Sequence, residues 1–68
     1  MIYNFKLIDN NTIIHELIAD DGTVKIVAKE LIDSKYTNVK EHLQNWADQR
    51  KNFFPITKVT NNLGMDIK

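Results

Sequence analysis

Ile13-Ile14-His15-Glu16-Leu17-Ile18-Ala19-Asp20-Asp21-Gly22-Thr23-Val24-Lys25-Ile26-Val27-Ala28 is the stretch on which the fold turns. Two runs rich in β-branched residues flank Asp21-Gly22, the strongest short hairpin signal in the chain. With Asp21-Gly22 as a two-residue turn, Val24 opposes Ala19, Ile26 opposes Leu17 and Ala28 opposes His15. Side chains alternate along a strand, so this register decides which of them share a face.

Upstream, residues 2–8 (Ile2-Tyr3-Asn4-Phe5-Lys6-Leu7-Ile8) also read as a strand. A three-residue loop at Asp9-Asn10-Asn11 sets Leu7 opposite Ile13, Phe5 opposite His15 and Tyr3 opposite Leu17. One face then collects Tyr3, Phe5, Leu7, Ile13, His15, Leu17, Ala19, Val24, Ile26 and Ala28. That is a core face with one histidine in it. The other face carries Asn4, Lys6, Glu16, Lys25 and Lys29 among Ile2, Ile8, Ile14, Ile18 and Val27. Two turns, each chosen for its own chemistry, agree on one apolar surface.

Downstream, Tyr36, Val39, Leu43, Trp46 and Ala47 recur at helical spacing and predict an amphipathic helix over about 36–51. Thr37 or Asn38 suits its N-cap, and Arg50 and Lys51 suit the C-terminal end of its dipole. Phe53-Phe54-Pro55 ends it, because the residue before proline avoids helical dihedrals. Adjacent Phe53 and Phe54 do not both fit one core, so one is expected to face outward. Residues 56–60 have the composition of a short edge strand, and 61–68 reads as a tail. The expected fold is α+β: a three-stranded antiparallel β-meander packed on one amphipathic α-helix, with a short C-terminal edge strand, in a single domain over 1–60.

A helix-turn-helix competes over the same residues. Val24, Val27, Ala28, Leu31 and Ile32 fit a helix face, and together with the helix that follows they resemble that motif. Ile32 stands where its tight turn takes glycine, and Asp33 where it takes an apolar residue.

Sixty-eight residues hold one small domain, and the net charge is zero on nine basic and nine acidic side chains. With 43% hydrophobic residues the chain is too apolar for a disordered one. No cysteine is present, which excludes a disulfide framework and a cysteine-ligated zinc site. No stretch approaches the roughly 20 apolar residues of a membrane helix, and no signal-peptide pattern opens the chain, so a cytoplasmic protein is expected.

His15-Glu16 and Glu41-His42 are the pairs that suggest metal or acid–base chemistry. Adjacent residues diverge on strand and helix alike, so a site would need one member of each pair to converge across the fold. No H-E-x-x-H spacing exists, and Gly22 and Gly64 form no phosphate loop. No catalytic residue, metal ligand or cofactor is expected. His15 reads as a hydrogen-bonded histidine at the sheet–helix contact.

The mixed sheet face carries the functional expectation. A solvated sheet face is ordinarily polar, and this one interleaves aliphatics with lysines. Ile14, Ile18, Lys25, Val27 and Lys29 are the expected partner-binding residues, toward a protein partner or a second copy in a homodimer, unless residues 53–67 fold across them. The expected function is a small non-enzymatic binding or regulatory protein, of a size common among inhibitors encoded by phages and mobile elements. The alternative is nucleic-acid binding. A three-stranded sheet backed by one helix is similar in layout to AP2-like and integrase arm-binding domains. That similarity implies DNA contacts from Asn4, Lys6, Lys25 and Lys29.

Overall fold

The structure, a computed structural model, describes residues 1–32, 38–64 and 66–67. Strands β1 (Ile2–Leu7), β2 (Thr12–Ile18) and β3 (Val24–Leu31) form the antiparallel meander. Helix α1 (Val39–Arg50) follows, and β4 (Lys58–Asn61) returns to pair with β1 in parallel, giving the order β3-β2-β1-β4. The chain is thus α+β, and Val24–Leu31 is strand rather than the first helix of a helix-turn-helix. The edge strand forms two residues later at its start than the composition suggests. The expected first turn of the helix, with Tyr36 and Thr37, lies outside the described residues. Asn38 occupies the N-cap position without a side-chain capping bond.

The β1–β2 register is the one expected: Leu7 faces Ile13, Phe5 faces His15 and Tyr3 faces Leu17. The β2–β3 register is correct only in part. His15 faces Ala28 as expected, but Glu16 faces Ile26, Leu17 faces Lys25 and Ile18 faces Val24.

Two linked features cause the difference. The turn has three residues, Asp20-Asp21-Gly22, closed by Ala19 N–H donating to Thr23 C=O at 2.8 Å. Gly22 sits at φ +90°, as a turn followed by a left-handed residue requires. Asp21 Oδ1 accepts from Thr23 N–H at 2.9 Å, which favours this longer turn. The slip is then cancelled by a β-bulge opposite His15/Glu16, where Val27 is the extra residue. Between turn and bulge, every β3 side chain is on the opposite face from the one expected. Val24 and Ile26 leave the core and are 51% and 60% exposed. Lys25 moves to the helix side, and Val27 packs against the core.

The core lies between the sheet and α1. Tyr3, Phe5, Ile13 and Leu17 from the strands meet Leu43 and Ala47 of the helix, and Ile67 joins them at 6% exposure. Val39 and Trp46 complete the helix stripe. Phe54 packs against this cluster while Phe53 is 74% exposed, the division expected of adjacent aromatics.

Candidate functional site

On the sheet face turned away from α1, cross-strand pairing builds three rows. Ile18 lies between Ile2 and Val24, Glu16 between Asn4 and Ile26, and Ile14 between Lys6 and Lys29. Asn4 Nδ2 donates to Glu16 Oε1 at 2.9 Å, and Thr60 Oγ1 donates to Asn4 Oδ1 at 2.6 Å. This polar middle row stiffens the face and uses groups a DNA-reading surface would offer to bases. Of the expected partner-binding residues, Ile14, Ile18 and Lys29 stand here. Lys25 and Val27 do not, because the longer turn, with the bulge that ends its slip, sets both toward the helix side; Val24 and Ile26 take their place.

The described residues of the C-terminal segment are bound up with the core instead of this face. Phe54, Ile56, Leu63 and Ile67 all pack against the core cluster on the helix side. Asn62 ties the segment to the end of β1: its side chain accepts from Leu7 N–H at 2.7 Å and donates to Leu7 C=O at 3.3 Å. On the face itself Ile2, Ile14 and Ile18 are half-buried, and Val24 and Ile26 are exposed.

A second grouping lies beneath the helix. Tyr3 Oη is 2.7 Å from His15 Nδ1, and His15 Nε2 is 3.0 Å from Glu30 Oε2. His42 Nε2 reaches Glu30 Oε1 at 2.9 Å. Burial works to raise the Glu30 carboxyl, but hydrogen bonds from His42 and His15 outweigh it and hold the group below the ordinary carboxylate range. Burial pushes the His15 imidazole down, more than its bond to Glu30 raises it. An ionised Glu30 only accepts, so His15 Nε2 carries the proton. Nδ1 of the neutral ring then accepts from the Tyr3 hydroxyl.

The chain runs Tyr3 to His15 to Glu30, with His42 donating to the same carboxylate. His15 is enclosed edge-on by Phe5 at 4.9 Å and Trp46 at 5.0 Å between ring centroids. The Arg50 guanidinium lies 4.9 Å from the Trp46 ring centroid and acts on the Tyr3 hydroxyl, which burial nevertheless pushes up.

This grouping resembles an acid–base relay in its order of atoms, yet Tyr3 and His15 are both fully buried. A substrate atom does not reach either of them in this conformation. The two histidines do converge across the fold, though through Glu30 rather than through Glu16 or Glu41. Glu30 was missed by sequence reasoning, and a signal for it existed. The register that sets Ala28 opposite His15 also sets Glu30 opposite Ile13, a carboxylate on an apolar face. Among the described residues no three His, Asp or Glu side chains are arranged to hold a metal ion.

Compared with protein families, characterised proteins and solved structures, the chain shows no significant match to any. No helix among the described residues is long and apolar enough to cross a membrane.

Proposed function

We propose that this is a small, non-enzymatic, cytoplasmic binding protein that acts by occupying a protein partner with the open face of its sheet. One observation carries the reading: the face sets half-buried Ile14 and Ile18 beside the exposed Val24 and Ile26, with Lys6 and Lys29 at its rim. Large apolar side chains left in water forgo roughly 1.5–3 kcal/mol each relative to full burial. A fold of this size has little stability to forgo. Lysine stems cover part of the aliphatic area in the free protein and withdraw when a partner arrives. A regulator or inhibitor of mobile-element origin fits this size.

Nucleic-acid binding is the weaker reading on the same residues. Lys25 is turned away from the face, Glu16 sits at its centre, and net charge is zero. A dedicated DNA binder carries a stronger basic bias.

The test compares the natural protein with Ile14→Ser/Ile18→Ser on extract of the native host, beside a helix-side control, Glu41→Ala/Asn45→Ala. A partner retained by the natural protein and the control, and lost by the sheet variant with unchanged circular dichroism, supports the reading. Retention by the sheet variant moves the binding surface elsewhere. Binding to random duplex DNA that weakens steeply with salt would favour the nucleic-acid reading.

A further inference from the structure

β3 is the longer of the two strands that end the sheet among the described residues, and the bulge makes its outer edge complementary to itself. We infer that two copies of this chain pair edge to edge through β3, antiparallel about Val27/Ala28, into one continuous sheet. This goes beyond the partner reading and does not depend on it, since the pairing uses the edge and leaves the Ile14/Ile18 face open.

Three observations converge. The first is exposure. β3 ends the strand order, and three of the five large apolar side chains exposed among the described residues lie on it: Val24 at 51%, Ile26 at 60% and Leu31 at 75%. An edge of that length and character is a ready template for another strand.

The second is backbone direction. Ala19 N–H donates to Thr23 C=O at one end of the hairpin, and Ile32 N–H donates to Asn11 C=O at the other. In an antiparallel ladder bonded and non-bonded pairs alternate from those anchors. Val24, Ile26, Lys29 and Leu31 are therefore the residues whose N–H and C=O point out from the edge.

The third is facial parity. The bulge places Val24, Ile26, Lys29 and Leu31 on the open face, and Lys25, Val27, Ala28 and Glu30 on the helix side. In an antiparallel pairing of β3 with its copy, opposed side chains must share a face. Across the whole strand one register satisfies this: Val24 with Leu31, Lys25 with Glu30, Ile26 with Lys29 and Val27 with Ala28. The outward backbone groups then meet as bonded pairs, Val24 with Leu31 and Ile26 with Lys29. Without the bulge, parity would forbid this register.

The side chains match as well. Apolar meets apolar at 24/31, opposite charges meet at 25/30, and the Lys29 stem covers Ile26. Each β3 lysine meets a glutamate or an isoleucine and never another lysine. Glu30 keeps its histidine bonds, its side chain is 23% exposed, and a carboxylate has lone pairs left for a lysine. A two-fold axis through the edge closes the assembly at two copies.

Sedimentation equilibrium from about 10 μM to about 1 mM, the range in which weak association is read, is the first measurement. The natural chain should form a dimer and no larger species. Ile26→Lys, at an exposed position, should set lysine against Lys29 and weaken the dimer by about tenfold or more without changing the circular dichroism. The register is tested by disulfides, since the chain has no cysteine of its own. Val24→Cys/Leu31→Cys should oxidise to a covalent dimer, and Val24→Cys/Lys29→Cys should do so far more slowly. A strict monomer throughout the range, a dimer indifferent to Ile26→Lys, or equal cross-linking of the two cysteine pairs would each overturn the inference. None of these results bears on the Ile14/Ile18 face, which is read by its own variant.

Discussion

Glu30 shows how one side chain can tie a sheet to a helix. It stands opposite Ile13 on the core side and accepts from His15 on β2 and His42 on α1. Hydrogen bonds to a charged group contribute about 1.5–3 kcal/mol each. Glu30→Ala should therefore cost about 2–4 kcal/mol in urea unfolding, and Glu30→Gln about half of that. Acid acts on the same chain with a definite sign. His15 is held below its ordinary 6.5, so as pH falls from there the unfolded chain takes a proton that the fold resists. Glu30 is held below 4.5, so the stability it contributes is present above that value and fades as pH falls through its folded value. Both weaken the fold on acidification. Urea midpoints should begin to drop below about pH 6.5, and His15→Gln, which keeps polar bonding but does not titrate, should remove the first part of the fall. A midpoint flat from neutral to about pH 5 would contradict this assignment.

Among the elements, the first hairpin was legible because Asp9-Asn10-Asn11 and the alternation of residues 2–8 and 12–18 admit one consistent register. The helix was legible from the spacing of Val39, Leu43, Trp46 and Ala47. The second hairpin was legible in outline only. Asp21-Gly22 serves equally a two-residue turn and the end of a three-residue one, and the choice depends on Asp21 Oδ1 accepting from Thr23 N–H. The bulge at Val27 leaves no local signal, since a run of β-branched residues tolerates either face. Pairing of β4 with β1 depends on contacts made only once the chain has folded back, among them Asn62 against Leu7. Gly22 gives this element its test. Its φ is +90°, and a Cβ there would meet nothing within 4 Å, so Gly22→Ala carries a backbone cost alone. About 1–2 kcal/mol is expected, and thermal unfolding of a domain this size should shift down by about 4–8 °C per kcal/mol. Gly22→Asn should lose less, because asparagine tolerates the left-handed region. Equal stability of all three would contradict the three-residue turn.

For the whole molecule, one inserted residue governs which surface is offered to a partner. A uniform ladder would bury Val24 and Ile26 and place Lys25 and Val27 outside. The longer turn, with the bulge that ends its slip, reverses all four, makes the open face more aliphatic and less basic, and gives β3 its self-complementary edge. The candidate surface was thus legible at its centre, Ile14 and Ile18, and misread at its β3 border, where facing depends on register. The most direct test of the account is the pattern of cross-strand proton contacts in the nuclear Overhauser spectrum of the folded chain. Non-hydrogen-bonded antiparallel pairs bring their Cα atoms to about 4.5 Å and their α-protons into close contact. Strong α-proton contacts are predicted between Ile18 and Val24 and between Glu16 and Ile26. Contacts instead pairing Glu16 with Val27 and Ile18 with Lys25 would mean an unbulged ladder, and the open face and the β3 edge would both have to be redrawn.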